Sequence, residues 1–202
     1  ATAVVETAGS GLVPLFSEIQ ASQNGRHYSV ETFRRYEGGG LGAELQGDVV
    51  LMGSLAFMKL MRVRMPEGAG LKQAVYLAIN SELAAVFALH YAPDAGAQSS
   101  LHAATHSGAL IPMLATRDFM ITPQFLKHRY KLPPERIEFP TVEERARLSS
   151  PEAVRDPRQG AMMARGGFQS FVAAVTGARM LRSAARGAAG VAVLGGVIGI
   201  LV

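Results

Sequence analysis

Alternating apolar and polar residues predict two β-hairpins in the first half of the chain. Each hairpin consists of two short apolar runs separated by turn-forming residues, Gln46-Gly47-Asp48 in the first and Asn80-Ser81-Glu82 in the second. The four runs are residues 41–45, 49–52, 74–79 and 83–89. Short runs around such turns are typical of antiparallel strands.

Other elements surround these hairpins. Residues 12–20 predict a helix, and the alternation in residues 28–36 predicts a further strand. Ser54 is positioned to cap a short helix between the two hairpins. We therefore predict an antiparallel sheet with helical cover, an α+β module, over residues 1–93.

The pattern changes after Pro93-Asp94. A helix, a buried strand, a second helix and a short strand are predicted at residues 95–107, 109–115, 118–129 and 137–139. This alternation of helices and strands is typical of a parallel α/β layer. The chain is therefore predicted to be of mixed α/β class, with a second segment over residues 94–150.

The C-terminal residues are uniformly apolar. Residues 187–202 contain no charged or polar side chain, and as a helix they would span roughly 24 Å, slightly less than the ~30 Å hydrocarbon core of a bilayer. They predict the start of a transmembrane helix in which Gly190, Gly195 and Gly199 let another helix approach closely. The alternative is a buried C-terminal helix or strand of a soluble core.

A basic segment precedes this apolar run. Residues 151–186 contain six arginines and only two acidic residues. Such a segment suits either nucleic acid or the flank of a membrane span. Because an apolar run follows, we predict a membrane partner and no nucleic acid. Residues 151–186 are predicted to form a basic helical linker, and residues 1–186 as a whole are predicted to lie on the cytoplasmic side.

The overall composition limits the chemistry. The net charge is +4, hydrophobic residues make up 49% of the chain, and there is no cysteine. The absence of cysteine excludes disulfides, thiolate metal sites and a cysteine nucleophile.

The main candidate ligand site is a glycine-rich stretch before the first hairpin. It reads Glu37-Gly38-Gly39-Gly40-Leu41-Gly42, and after the hairpin turn it is followed by Met52-Gly53-Ser54. Glycine has no Cβ, so its backbone can approach a purine or a phosphate closely. The alternative is a tight turn that only leads into the hairpin.

In this order the segments resemble the nucleotide-binding domain and part of the phosphorylation domain of heavy-metal-transporting P-type ATPases, over residues 5–148. In that family a Gly-x-Gly turn leads into a β-hairpin, and a Gly-Asn step opens a helix. The resemblance implies weak ATP or ADP contacts at Gly38, Gly40, Gly42, Gly53 and Ser54. It also implies that residues 94–150 form a partial HAD-like layer, followed by C-terminal helices.

Thr116-Arg117-Asp118 resembles the family's Thr-Gly-Asp step, at the end of the predicted strand. The resemblance implies a phosphate site at Thr116 and Asp118. The alternative is that Asp118 caps the helix that follows.

Several of the family's functional residues are replaced. The family's His-Pro pair corresponds to Val13-Pro14, and its Asn corresponds to Ser54. The acidic Gly-Asp-Gly-x-Asn-Asp loop that binds magnesium has no counterpart in residues 149–187. Magnesium binding and catalysis are therefore not expected, and no catalytic residue is assigned.

His102 and His106 are spaced as metal ligands often are on a helix. Partly exposed helix histidines are the commoner explanation, and no metal site is predicted.

The sequence thus favours a catalytically degenerate cytoplasmic module of a P-type-ATPase-like membrane protein, with a regulatory or binding role. Two alternatives remain. One is a fragment of a divergent, active metal-cation-transporting ATPase, and the other is a structural scaffold whose glycine turn binds no ligand.

Overall fold

The computed structural model describes residues 1–68, 70–71, 73–92, 96–106, 111–150 and 168–201, excluding the side chains of residues 97, 168 and 190–201. It contains two compact units. Unit 1 comprises Ala1–Ala92 and Met113–Val154, and unit 2 comprises Pro93–Pro112 and Arg155–Val202. The chain passes from unit 1 to unit 2 between Ala92 and Pro93 and returns to unit 1 at Met113. The domain bounds predicted at residues 93, 150 and 186 stay predictions.

Unit 1 is built on one antiparallel sheet. Its five strands follow one another in sequence order. They are β1 Thr32–Tyr36, β2 Gly40–Leu45, β3 Asp48–Gly53, β4 Ala74–Ile79 and β5 Glu82–Ala88. The two predicted hairpins, β2–β3 and β4–β5, are confirmed.

The hairpin turns explain why these residues form tight connections. Gln46 and Gly47 have φ angles of 53° and 84°, and Asn80 and Ser81 have φ angles of 50° and 68°. Two successive positive φ angles match the right-handed twist of the flanking strands, and Asn and Gly adopt them at little cost. The turns therefore set the register of both hairpins.

Helices cover both faces of the sheet. Helices α1 (Thr2–Ala8) and α2 (Val13–Ser22) pack on one face, and α3 (Leu55–Leu60) packs on the other. Neighbouring residues of a strand face opposite sides, so Met52 joins the first core while Leu51 joins the second. The predicted antiparallel sheet with helical cover is confirmed, and α1 is an addition that the sequence pattern did not predict.

Residues 113–150 add α5 (Pro123–Tyr130), a 3-10 turn (Pro134–Arg136) and α6 (Val142–Leu148) to unit 1. Helix α5 begins five residues later than predicted, because Thr122 caps it through a bond from the Phe125 N–H and Pro123 opens its first turn.

The buried strand predicted at residues 109–115 is corrected. Its described part makes one isolated parallel bridge, between Met113 and Glu138, and the Ile111 side chain is 75% exposed. Pro112 lacks an N–H and cannot join a ladder of hydrogen bonds. In the described residues, the expected parallel layer is therefore reduced to this single bridge.

In the described part of unit 2, helices α4 (Ala97–His106) and α7 (Phe168–Leu201) pack on each other. Ser100, Ala104 and Thr105 of α4 and Val172 of α7 are buried. The side chains of residues 178–189 in α7 are all exposed.

In the part of the chain that is described, no helix is both long enough and apolar enough to cross a membrane. The span predicted over residues 187–202, with Gly190, Gly195 and Gly199, falls mostly on side chains outside the described residues.

One aromatic ring holds β2, β3 and α3 together. Phe57 of α3 is 1% exposed, and its ring lies where a Cβ on Gly40 or Gly53 would be. These two glycines pair across the β2–β3 ladder. Because Gly40 and Gly53 have no side chains, the Phe57 ring can pack directly against the sheet.

We expect Gly40→Ala to destabilise the fold by about 1–3 kcal/mol, because the added methyl group overpacks the site of the Phe57 ring. The free energy of unfolding, measured in urea, tests this. Gly11→Ala is the control, since a Cβ there meets no atom within 4 Å. Phe57→Leu should relieve part of the effect when combined with Gly40→Ala, and equal stability of G40A and G11A would contradict the prediction.

Candidate ligand-binding site

A cavity of about 260 Å³ lies within unit 1 beside the glycine turn. One wall is the end of β1 and the turn into β2, and the other wall comes from residues 116–146. The cavity is lined by Arg35, Tyr36, Glu37, Gly39, Gly40, Leu41, Thr116, Arg117, Phe119, Ile121, Thr122, Pro123, Gln124, Phe139, Pro140, Val142, Arg145 and Ala146. The glycine turn and the Thr-Arg step, about eighty residues apart in sequence, therefore meet at one cavity.

The glycine turn is closed by a bond from the Gly39 N–H to the Tyr36 carbonyl, at 3.3 Å. Gly39 has a φ of 82°, which disfavours any residue with a Cβ. A Cβ there would also lie 2.9 Å from the Phe119 carbonyl oxygen. Gly39 is thus the position where close approach of two backbones requires glycine.

The sequence-predicted nucleotide residues lie in different environments. Gly40 lines the cavity, while the space beside Gly40 and Gly53 holds the Phe57 ring. A Cβ on Gly42 would lie 3.0 Å from the Tyr36 ring, and a Cβ on Gly38 would be in ordinary van der Waals contact with the Leu60 side chain, at 3.9 Å.

Ser54 has a defined structural role. Its hydroxyl accepts a 3.2 Å hydrogen bond from the Phe57 N–H and caps α3, as the sequence predicted. Among the five positions, Gly40 is the one that the cavity lining includes.

Three arginines line the cavity, and the sequence predicted none of them as a ligand-binding residue. Arg35 is on β1, Arg117 follows the Met113–Glu138 bridge, and Arg145 is on α6. Arg117 was known only as the residue that replaces the family's Gly in the Thr-Arg-Asp step. Only the fold brings their side chains to the same cavity.

Arg35 and Arg117 are anchored by neighbouring oxygens. The Arg35 Nη2 donates to the Ala8 carbonyl at 3.0 Å, at the end of α1, and the Arg117 Nε donates to the Ser149 hydroxyl at 2.7 Å. Burial, and secondarily the charge of Arg117, lowers the pKa of Arg35. The two positive charges are therefore close enough to repel each other.

Arg145 faces the one acidic side chain of the described cavity lining. Its Nη2 lies 3.6 Å from Oε2 of Glu37, whose Oε1 accepts a 2.7 Å bond from the Val142 N–H. The Arg145 side chain is 12% exposed, and its buried Nε has no hydrogen-bond partner among the described residues. The cavity therefore combines three guanidinium groups with a single carboxylate.

Thr116 and Asp118, the phosphate-site residues implied by the resemblance, form one turn. The Thr116 hydroxyl accepts a bond from the Asp118 N–H at 3.1 Å, and Asp118 Oδ1 accepts a bond from the Met120 N–H at 2.9 Å. Thr116 lines the cavity, whereas Asp118 is outside the described lining. The expectation that Asp118 caps the next helix is corrected, because it caps this turn and Thr122 caps α5.

Asp118 is buried and bonded to a tyrosine. The Tyr91 hydroxyl donates to Asp118 Oδ2 at 2.8 Å. Burial raises the pKa of Asp118, while the bonds from Met120 and Tyr91 act in the opposite direction. Burial, followed by the charge of Asp118, raises the pKa of Tyr91. This carboxyl is therefore engaged inside the protein.

No group of three metal-binding side chains is found where the structure describes the chain. The His102 and His106 ring centroids are 5.6 Å apart, and His106 Nδ1 lies 2.9 Å from the His102 carbonyl oxygen. The chemistry of the candidate site is that of its arginines, its backbone groups and the Phe139 ring, which suits an anionic ligand with a flat apolar part.

Comparisons with known proteins give similarity of structure alone. No family model and no curated protein matches the chain. The chain is similar to the N-domain of HMA6, a copper-transporting P-type ATPase, at 20% identity and a TM-score of 0.38, covering 44% of this chain and 81% of that one. It is also similar to the N-domain of HMA8, likewise a copper-transporting P-type ATPase, at 20% identity and a TM-score of 0.37, covering 44% and 83%. The sequence resemblance stated above was to the same family of ATPases.

The buried Asp118 predicts a dependence of stability on pH. Its pKa is raised in the folded state, so the folded protein binds more protons than the unfolded chain as pH rises above the ordinary value of 3.8. The free energy of unfolding should therefore lose the contribution of Asp118 as pH rises through the raised pKa. A tenfold difference in proton affinity between the folded and unfolded states corresponds to about 1.4 kcal/mol.

Urea unfolding of wild type and Asp118→Asn between pH 3 and 7 measures this contribution. The asparagine variant should lack this loss of stability, so its free energy of unfolding should rise relative to that of wild type as pH increases. Asp48→Asn, which changes an exposed carboxyl on β3, is the control. Parallel pH profiles for wild type and D118N would refute the assignment.

Proposed function

We propose that this chain is a non-catalytic, nucleotide-binding module of a P-type-ATPase-like membrane protein, on the cytoplasmic side. The observation that carries the proposal is the cavity, where the glycine turn faces the Thr116-Arg117 step. In the proposed assignment, the binding module covers residues 1–150, with its cavity in unit 1, while the stretch Pro93–Pro112 within it belongs to the compact unit of α7. Residues 151–186 link it to a membrane helix that starts at residue 187.

The cavity offers both kinds of contact that a nucleotide needs. Phe139 is half-buried in the lining and provides an apolar ring for a base, while Arg117 and Arg145 provide positive charge for phosphates. The volume of about 260 Å³ is below the ~300–1,000 Å³ of ordinary small-molecule pockets. Because the family's His and Asn contacts are also replaced, by Val13 and Ser54, we propose weak binding in the millimolar range.

The carboxyl groups support the absence of catalysis. Glu37 pairs with Arg145, and Asp118 accepts bonds from Tyr91 and Met120. Phosphoryl transfer needs free carboxylates that hold Mg²⁺ beside the transferred group. The described lining contains Glu37 as its one carboxylate, beside Arg145, and Asp118 lies outside the lining, so we propose that the ligand is bound without being hydrolysed.

The membrane part of the proposal rests on α7. This helix continues from the basic segment into the uncharged residues at its C-terminal end. Arg179, Arg182 and Arg186 lie on its exposed part, as does Leu181, which is 74% exposed. Arginines before an apolar helix favour a cytoplasmic position for the preceding domains.

A structural scaffold is the second candidate, and one observation favours it. The Phe57 ring occupies the space beside Gly40 and Gly53, so packing alone accounts for these two glycines. A scaffold would bind no nucleotide at the cavity.

We expect ATP and ADP to bind with a Kd of about 1 mM, which corresponds to a binding free energy of about 4 kcal/mol. Amide NMR shifts on titration should be largest in residues 38–42 and 116–119. Phe139→Ala should weaken binding by about 1–3 kcal/mol if the ring stacks on the base. The matched control is Tyr28→Ala, which removes an exposed ring outside the cavity lining.

The absence of any shift up to several millimolar ATP would favour the scaffold. Phosphate release from ATP in the presence of Mg²⁺, above the rate without protein, would contradict the non-catalytic assignment.

A further inference from the structure

The cavity carries an excess of positive charge that its own acidic group does not balance. Arg35, Arg117 and Arg145 line it together with Glu37, which is the one carboxylate in the described lining. Neighbouring guanidinium groups repel each other most strongly where water is limited. An arrangement of this kind is unfavourable by itself and becomes favourable when an anion binds.

The hydrogen bonds within the protein leave many guanidinium donors for a ligand. Each guanidinium has five N–H donors. Arg35 uses its Nη2 on carbonyls at the end of α1, and Arg117 uses its Nε and Nη2 on Ser149 and Ala146. These bonds fix the orientation of the Arg35 and Arg117 side chains without using all of their N–H donors.

Arg145 supplies the most specific observation. Its Nε is buried and has no partner among the described residues, and its Nη2 is 3.6 Å from Glu37. Leaving a buried donor without a partner costs about 1–3 kcal/mol. The 3.6 Å contact of Nη2 with Glu37 is longer than a hydrogen bond, so this donor can turn to an acceptor oxygen bound in the cavity.

We propose that Arg35, Arg117 and Arg145 form a binding site for a multiply charged phosphate anion, of the pyrophosphate or polyphosphate class. Guanidinium groups bind phosphate oxygens through paired, charge-assisted hydrogen bonds. Three positive charges against one negative charge leave a net charge of +2, which favours a ligand with at least two negative charges. Thr116, in the same lining, adds a hydroxyl group.

This inference deepens the proposed nucleotide binding and rests on the same cavity, since the site would hold the phosphate end of a nucleotide. The same phosphate chemistry is present in free pyrophosphate, so the two sources are separated by experiment.

The test is a titration of the full chain with inorganic pyrophosphate at low salt, followed by calorimetry and amide NMR. We expect pyrophosphate to bind with a millimolar or lower Kd, with shifts in residues 35–41 and 116–117. Arg145→Gln should weaken binding by about tenfold or more, which corresponds to at least about 1.4 kcal/mol. Arg34→Gln is the matched control, because Arg34 lies on the same strand as Arg35 but is exposed and outside the lining. It should weaken binding much less than Arg145→Gln, since its charge acts on the anion through water of high dielectric and not by direct contact.

A second variant acts in the opposite direction. Glu37→Gln removes the negative charge of the cavity while its amide oxygen can still accept the bond from Val142, so it should tighten pyrophosphate binding by about threefold to tenfold. Glu31→Gln is matched to it, since Glu31 is also exposed and accepts a backbone bond, from Gln46, outside the lining. It should leave the Kd unchanged. Because Glu37 is exposed, this pair remains informative even if R145Q fails to fold.

The outcomes separate the two proposals. No pyrophosphate binding at low salt, equal weakening by R34Q and R145Q, or equal effects of E37Q and E31Q would overturn the anion site. Binding of adenosine that is weakened by Phe139→Ala, without any pyrophosphate binding, would leave nucleotide recognition standing and refute the anion site. Pyrophosphate binding that responds to R145Q and E37Q, with ATP no tighter than pyrophosphate and adenosine silent, would support the anion site and refute the nucleotide function.

Discussion

The packing of Phe57 between two glycines is the contact on which the rest of unit 1 depends. Gly40 and Gly53 pair across the first hairpin, and the Phe57 ring of α3 occupies the space beside them where side chains would otherwise lie. The same ring lies 5.2 Å from that of Tyr36, at the end of β1. This contact joins α3 to three strands and holds the glycine turn in position.

Residues 116–146 form the second wall of the cavity, opposite the glycine turn. Phe119 and Met120 join the core on the side of α1 and α2, which anchors the residues after the Thr-Arg step. Gly39 allows the Phe119 carbonyl to approach the turn closely. The same segment brings Arg117 near Arg35 of β1 and Arg145 near Glu37, which follows β1, so hydrophobic burial positions the charged groups.

The charged groups then divide into two sets with different environments. Asp118 is buried with Tyr91 and accepts two hydrogen bonds, which makes it a structural carboxyl. The arginines line a cavity that is open to a ligand, with Glu37 as their partner on one side. Unit 1 therefore keeps its buried carboxyl away from the site and presents positive charge inside it. An acid-poor, arginine-rich cavity is suited to holding an anion and unsuited to holding a divalent cation.

The sequence by itself determined the sheet, because hairpins depend on local information. Gln46-Gly47 and Asn80-Ser81 accept positive φ angles, and alternation assigns Leu51 and Met52 to opposite faces. It also located the Ser54 cap. Tertiary structure decided the rest. In its described part, residues 111–115, the predicted apolar strand forms a single bridge, because Pro112 cannot donate to a ladder and pairing needs a neighbouring strand. The arginine cavity joins residues more than a hundred positions apart, and no periodicity along the chain records which distant side chains the folded core brings together.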